Sequence, residues 1–146
     1  YTPVLGWFGL RIGCICVERG KRAQAIKSMV AEVKSGKAPA GQLIIYPQGT
    51  RIAPGVSAPY KIGTAALYQE TGQICLPAAT NVGVFWPKYG ILRQPGLAVV
   101  EFLPAIQPGF DNEEFMHRLE ARIEQSSDAL LEEAAADRFY PLARDT

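Results

Sequence analysis

The sequence predicts a single α/β domain in which helices flank a central sheet that is mainly parallel or mixed. Three observations point to this class: a length of 146 residues, a composition of 48% hydrophobic and 20% charged residues, and short apolar runs alternating with helix-periodic segments. The length is close to the roughly 150 residues of an average domain. Strands that alternate with helices are typical of a sheet with parallel neighbours. We therefore expect residues 1–146 to form one domain.

The first part of the chain is predicted to form a strand, a helix and a second strand. The run "IGCICVER" at 12–19 contains the small and β-branched residues that suit a strand. The segment 22–36 places apolar residues near helical spacing, and Gly36 is expected to end this helix. The compact apolar run "QLIIYP" at 42–47 is typical of a strand inside a sheet.

The second part begins after a loop rich in glycine and proline. The segment "KIGTAALYQETG" at 61–72 predicts a helix that Gly72 closes. Three further strands are expected, in "QICLPAAT", "VGVFW" and "LAVVEFLPAI". From about 112 to 136 apolar residues recur at helical spacing with acidic residues between them. This last segment predicts an amphipathic helix on the surface.

Charge and cysteine content exclude several classes of function. A formal net charge of +1 gives no general electrostatic reason for the protein to bind nucleic acid. The chain has three cysteines, an odd number, and a single histidine, which argues against both a disulfide framework and a zinc site. We therefore expect a reducing, cytosolic setting, with no metal and no bound cofactor.

The beginning of the chain raises a question about membranes. Residues from Tyr1 onward lack the basic start and the small-residue cleavage site of a secretory signal, and the first residue is not methionine, so we expect further residues upstream. Residues 1–17 are the most apolar region, but Arg11 interrupts them and they are too short to span a bilayer. Two interpretations stay open for Trp7 and Phe8: a position at a membrane interface, or burial in the core.

Familiar catalytic motifs are absent from the sequence. There is no phosphate-binding G-x4-G-K-[ST] loop, no dinucleotide G-x-G-x-x-G pattern and no G-x-S-x-G nucleophile motif. His117, the only histidine, lies on the terminal helix, where we expect it to face solvent. The chain by itself therefore shows no convincing catalytic base.

Polar and basic residues recur where apolar runs end. Arg19 follows "CICV", Gly49, Thr50 and Arg51 follow "LIIYP", and Lys61 opens the next helix. Arginine binds a phosphate through two hydrogen bonds, lysine acts as a point charge, and a hydroxyl adds a donor. Each of these residues alone is more often a surface charge or a turn residue. Their shared placement at the ends of apolar runs favours an anion-binding cradle.

Four blocks, in order, carry a resemblance to a known family: "VERGKRAQA" at 17–25, "IIYPQGTR" at 44–51, "YKIG" at 60–63 and "ICLPAAT" at 74–80. The chain resembles the glycerolipid acyltransferases over about residues 1–105, and most closely those that act on 1-acyl-sn-glycerol-3-phosphate. The resemblance implies an enzyme at the cytoplasmic face of a membrane. It would transfer a fatty acyl group from acyl-coenzyme A or acyl carrier protein to lysophosphatidic acid, and would form phosphatidic acid.

The resemblance also implies roles for individual residues. Those expected to bind the phosphate of the acceptor are Arg19, Gly49, Thr50, Arg51 and Lys61. Pro77 matches a late proline block associated with the acyl-donor side or with shaping the site. Gln48 stands where the family commonly has glutamate, so a negative charge is lacking there, although an amide still forms hydrogen bonds.

A second departure from the family is more serious. The His-x4-Asp motif that supplies the general base is nowhere in the chain, because the fifth residue after His117 is Arg122. In family order the motif should precede Tyr1. We therefore expect residues 1–146 to be the later portion of an acyltransferase domain, inactive by itself. Two alternatives stay open: an acyltransferase for glycerol-3-phosphate or another lysophospholipid, and a non-catalytic module that binds lipid phosphate.

Overall fold

The computed structural model describes residues 43–89 and 91–139, with side chains as far as 136, and the separate positions 11, 26, 27, 30, 31 and 35. In these residues the order of elements is helix α1, Gly63–Thr71; strand β1, Ala78–Thr80; helix α2, Val82–Phe85; strand β2, Val100–Phe102; and helix α3, Asn112–Phe139. The combination of helices and strands agrees with the predicted α/β class.

The predictions for the first part of the chain are tested at few positions. Residues 26, 27, 30 and 31 are helical, in agreement with the helix predicted at 22–36. The strand predicted at 12–19, and Gly36 as the end of the helix, lie outside the described residues. So does the apolar region before residue 11.

The two strands of the described region pair in an antiparallel sheet, whereas the sequence predicted a sheet that is mainly parallel or mixed. β1 and β2 pair with Ala79 opposite Glu101, and an isolated bridge joins Cys75 to Ile106. After α2 the chain turns back beside β1: the N–H of Val99 donates to the side-chain oxygen of Asn81 at 2.7 Å, which holds the ends of the two strands side by side.

Asn81 also ties the sheet to the long helix. Its side chain is buried, and its amide nitrogen lies 3.3 Å from the carbonyl oxygen of Leu97 and 3.5 Å from that of Leu130 in α3. A buried amide without partners would be costly. The two interactions therefore satisfy Asn81 while they fix the position of α3 against β1, on which the helix packs.

The strand predicted at 42–47 is not formed by its described residues, 43–47. These residues have no regular structure; Ile44 is 75% exposed and Tyr46 is 78% exposed. The carbonyl of Tyr46 accepts the N–H of Gly49 at 2.9 Å, so it takes part in a turn and not in a strand ladder. An apolar run predicts a strand only where a neighbouring strand takes up its backbone groups.

The strand predicted in "VGVFW" is also wrong, because Val82–Phe85 is the short helix α2. The N–H of Val84 donates to the carbonyl of Asn81, and the N–H of Trp86 donates to that of Val82, both at 2.9 Å. These local hydrogen bonds outweigh the strand preference of valine and phenylalanine, which depends strongly on context.

The two longer helices confirm the sequence predictions. α1 ends at Gly72, whose φ of 59° lies in the left-handed region and whose N–H reaches the carbonyl of Tyr68. α3 covers the predicted segment 112–136 and extends it to Phe139. The carboxylate of Asp111 accepts the N–H of Glu114 at 2.9 Å, as a helix cap does.

The core lies between α1 and α3. The rings of Tyr68 and Phe115 stack with centroids 3.9 Å apart, and Ala65, Ile106 and Leu119 complete the buried cluster. The hydroxyl of Tyr68 donates to the carbonyl of Gln107 at 2.6 Å, so the buried phenol is satisfied. None of the helices in the described part of the chain is long and apolar enough to cross a membrane.

Candidate functional site

A loop from Pro47 to Lys61, here called the anion loop, carries most of the predicted site residues. The N–H of Lys61 donates to the carbonyl of Pro47 at 2.8 Å and closes the loop at its base. Gly49 adopts a φ of 69°, in the left-handed region that glycine enters without steric cost. This hydrogen bond fixes the two ends of the loop, and the loop carries its polar groups at the surface.

Lys61 lies against Gly49 inside this loop. A Cβ atom built on Gly49 would be 3.5 Å from Cε of Lys61 and 3.6 Å from its Cγ. The lysine stem therefore passes over the turn formed by Gly49. This contact brings together two residues that are twelve positions apart in the sequence.

A second lysine reaches the same loop from outside it. The Nζ atom of Lys88 donates to the hydroxyl oxygen of Thr50 at 3.4 Å. Lys88 follows α2, and a Cβ atom built on Gly83 of that helix would lie 3.3 Å from Cγ of Pro54. The anion loop thus rests on α2, and this packing places Lys88 beside Thr50.

The other predicted site residues differ in their placement. Arg51 is exposed and has no ion-pair or hydrogen-bond partner within the described part of the chain, so its guanidinium is open to a ligand. Gln48 is half-buried in the same turn. Pro77 is fully buried, and its carbonyl accepts the N–H of Leu103 at 2.9 Å. Arg19 lies outside the described residues.

Lys88 contacts a predicted site residue, Thr50, but the sequence did not predict its position there. It stands in "FWPKYG", a segment that none of the four family-like blocks contains. A possible signal was the charge pattern: between Leu43 and Val100 the cations are Arg51, Lys61, Lys88 and Arg93, and the one acid is Glu70. The acidic residues gather after Val100 instead. The described part of the chain before β2 is therefore the part suited to an anionic ligand.

The residues before and after Lys61 face a groove at the start of α3 and not the anion loop. Tyr60 and Ile62 line this open groove of about 430 Å³ against the start of α3, where Glu113 and Glu120 also contribute. The hydroxyl of Tyr60 donates to the Glu124 carboxylate at 2.7 Å. Burial, together with this hydrogen bond and the charges of Glu124 and Glu120, raises the pKa of Tyr60 far above its usual value.

Nothing in the described region supplies an obvious catalytic base near the anion loop. His117 is exposed on α3 among acidic residues, which confirms the solvent-facing position predicted for it. No group of three or more His, Cys, Asp or Glu side chains within residues 43–89 and 91–136 is arranged to hold a metal ion. The chemistry that these residues can perform is the binding of an anion by two lysines, a hydroxyl and an open arginine.

Two curated proteins are similar in sequence to this chain. Both relatives are named 1-acyl-sn-glycerol-3-phosphate acyltransferase. The one from Pseudomonas aeruginosa is 28% identical over 137 residues, which cover 94% of this chain and 52% of the relative. The one from Saccharomyces cerevisiae is 29% identical over 110 residues, which cover 73% of this chain and 36% of the relative.

The chain thus spans about half the length of one of these relatives and about a third of the other. No solved structure matches it significantly. The family model described as Acyltransferase matches residues 1–81, which is more than half of the 146 residues and includes the whole anion loop. The chain therefore belongs to the acyltransferase family.

Proposed function

We propose that the chain is the later, acceptor-binding portion of an acyltransferase domain that makes phosphatidic acid. The acceptor is 1-acyl-sn-glycerol-3-phosphate, the donor is acyl-coenzyme A or acyl carrier protein, and the reaction takes place at the cytoplasmic face of a membrane. The observation that carries the proposal is the meeting of Gly49, Thr50, Lys61 and Lys88 at one loop inside a family-matched region.

The anion loop suits the phosphate of such an acceptor. Lys61 and Lys88 each bring a positive charge to the loop, the Thr50 hydroxyl lies between the turn and Lys88, and Arg51 has a guanidinium open to solvent. A phosphate monoester carries about two negative charges near neutral pH, and charge-assisted hydrogen bonds are stronger than neutral ones. We also assign Arg19 to this phosphate and Gln48 and Pro77 to the shape of the loop, on the basis of the family resemblance.

The reaction itself needs a base that takes the proton of the acceptor hydroxyl. The hydroxyl oxygen then forms the ester bond with the thioester carbonyl, the carbon–sulfur bond breaks, and the thiol leaves with a proton. We assign the base to a His-x4-Asp motif before Tyr1, as the resemblance implies. Residues 1–146 alone should therefore bind the acceptor without turnover.

The test compares binding and turnover. Full-length protein is assayed for thiol release from acyl-coenzyme A with 1-acyl-sn-glycerol-3-phosphate, glycerol-3-phosphate or lysophosphatidylcholine as the acceptor. We expect the first acceptor to be preferred and Arg51→Ala to raise its KM about three- to tenfold, since about 1.4 kcal/mol corresponds to tenfold. The control is Arg118→Ala, whose half-exposed ion pair with Glu114 lies on α3, away from the anion loop.

Each part of the proposal has an outcome that contradicts it. A preference for glycerol-3-phosphate or lysophosphatidylcholine would change the acceptor. Binding of 1-acyl-sn-glycerol-3-phosphate by full-length protein, with no transfer to any acceptor, would favour a lipid-phosphate-binding module. Turnover by residues 1–146 alone would show that the base is not upstream. An Arg51→Ala variant that unfolds, beside a folded Arg51→Lys variant with normal KM, would make Arg51 a structural residue.

A further inference from the structure

A surface patch between α2 and β2 takes no part in the proposed acyl transfer except through Lys88, which also contacts Thr50. Three of its side chains, Tyr89, Ile91 and Leu92, are 81%, 92% and 84% exposed. These are the highest exposures among the large hydrophobic side chains of the described region. We define the docking patch by six residues: Trp86, Lys88, Tyr89, Ile91, Leu92 and Arg93. Large apolar side chains held together in water are a usual mark of an interaction surface.

The cations of the docking patch lie against its aromatic rings. The guanidinium carbon of Arg93 is 3.8 Å from the centroid of the Trp86 ring, and Nζ of Lys88 is 5.3 Å from that of Tyr89. The guanidinium of Arg93 also donates to the carbonyl of Ile91 at 2.8 Å. Aromatic rings beside cations, next to exposed aliphatic side chains, match the boundary between lipid headgroups and acyl chains.

The charge of this region has one sign. From Thr71 to Val100 the sequence has no Asp or Glu, whereas it has Lys88 and Arg93 within the docking patch. Basic residues at a membrane surface are attracted by anionic lipid headgroups. The patch therefore combines an apolar part that suits acyl chains with a charge that complements the headgroups.

We propose that the docking patch binds the surface of an anionic phospholipid bilayer, with Tyr89, Ile91 and Leu92 entering the interface. An acidic protein would match the charge but would need a partner for three side chains that are over four-fifths exposed. Lys88 also contacts Thr50, so the bound surface lies next to the anion loop. The inference deepens the proposed function because it names the surface from which the acceptor is taken.

The test is sedimentation of the full-length protein with vesicles, which requires no turnover. The vesicles contain phosphatidylcholine alone or phosphatidylcholine mixed with phosphatidylglycerol. Ile91→Ser/Leu92→Ser should lower the partition coefficient on the mixed vesicles by about tenfold or more, because two apolar side chains lose their burial. The control is Ile74→Ser/Leu76→Ser, which makes the same two changes at side chains that are 60% and 54% exposed at the other end of β1.

We expect the parent protein to prefer the mixed vesicles, to release them as salt is raised, and to keep this binding in the control variant. Equal binding by the patch variant and the parent, or equal losses in both double variants, would overturn the proposal. Binding to immobilised acyl carrier protein is measured in parallel. If the patch variant loses this binding while its binding to vesicles is unchanged, the patch binds an acidic protein and not a bilayer.

A second measurement does not depend on removing apolar groups. In a protein whose other tryptophans, Trp7 among them, are replaced by phenylalanine, the fluorescence of Trp86 should be quenched by bilayers of brominated lipid. Unquenched Trp86 on sedimented vesicles would overturn the proposal. Transfer to a short-chain acceptor dissolved as monomers separates the two inferences: the patch variant should retain this transfer, whereas failure of the proposed function would abolish it in the parent as well.

Discussion

The side-chain nitrogen of Lys88 lies 3.4 Å from the hydroxyl oxygen of Thr50, although the two residues are 38 positions apart in the sequence. The contact exists because Pro54 of the anion loop packs on Gly83 of α2. Two separate segments therefore each supply a lysine to this region: Lys61 lies against Gly49, and Lys88 lies beside Thr50. Either lysine can be altered without removing the other.

Replacement of Lys88 by alanine tests whether the second segment takes part in binding. We expect Lys88→Ala to weaken binding of a soluble short-chain lysophosphatidic acid about three- to tenfold, since one charge-assisted contact is lost. Lys88→Arg should recover part of the affinity. Titration calorimetry gives the dissociation constants, with Lys27→Ala as the control at another exposed lysine. Unchanged affinity in Lys88→Ala would remove this residue from the site.

Gly49 and Gly55 provide a matched pair within the anion loop. Their φ values are 69° and 75°, so alanine at either position should cost about 1 kcal/mol of unfolding free energy from backbone strain. A Cβ on Gly49 would contact the Lys61 side chain, whereas one on Gly55 would meet nothing within 4 Å. We therefore expect similar losses of stability by denaturant unfolding, but weaker acceptor binding in Gly49→Ala alone. Equal affinities in the two variants would contradict the assignment of Lys61 and Gly49 to the site.

Gly96 is required by close packing against an aromatic ring. A Cβ atom at this position would lie 1.9 Å from Cε1 of Phe85, a ring that is 6% exposed. Gly96→Ala should therefore lower the free energy of unfolding by about 2–3 kcal/mol, because the ring has to move within a packed core. Gly109→Ala is the control, since it has a φ of 119° but nothing within 4 Å. Thermal or urea unfolding should show the larger loss for Gly96→Ala, and equal losses would contradict the packing.

The raised pKa of Tyr60 predicts a loss of stability in alkali. A free tyrosine has a pKa of about 10, whereas burial and Glu124 keep the Tyr60 hydroxyl of the folded protein protonated to higher pH. Since the unfolded chain releases its proton first, this contribution is fully present below about pH 10 and is lost as the pH rises toward the folded pKa. Tyr60→Phe removes the contribution together with the hydrogen bond.

Denaturant unfolding of the parent and of Tyr60→Phe should therefore be compared from neutral pH to about pH 11. The parent should be more stable near neutral pH by about 1 kcal/mol, the usual net contribution of one hydrogen bond. This difference should shrink above about pH 10. A difference that stays constant over the whole range would show that Tyr60 ionises alike in both states.

The sequence predicts the helices better than the strands, for a physical reason. Helices α1 and α3 follow from local periodicity and from Gly72, because their hydrogen bonds lie within the segment itself. The strand predictions depended on partners elsewhere in the chain. The segment "VGVFW" forms helix α2 instead of a strand. The two described strands pair antiparallel, and Asn81, directly after β1, accepts the N–H of Val99, directly before β2. No local sequence pattern indicates this contact.

The same distinction applies to the site. Gly49, Thr50, Arg51 and Lys61 were predicted because they lie within contiguous blocks, and all four belong to the anion loop, where Lys61 contacts Gly49 and Lys88 contacts Thr50. Lys88 could not be found in this way, since its position depends on the packing of Pro54 against α2. The role of Arg19 remains a prediction from the resemblance.

The side chain of Asn81 also bears on how the molecule opens. It receives the N–H of Val99 and reaches the carbonyls of Leu97 and Leu130, so one residue holds the chain before β2 and the long helix at once. Exchange of the Val99 amide proton with deuterated water requires this side chain to release it. That proton should therefore exchange together with the opening of α3 against the sheet, and report the docking of the helix at Leu130.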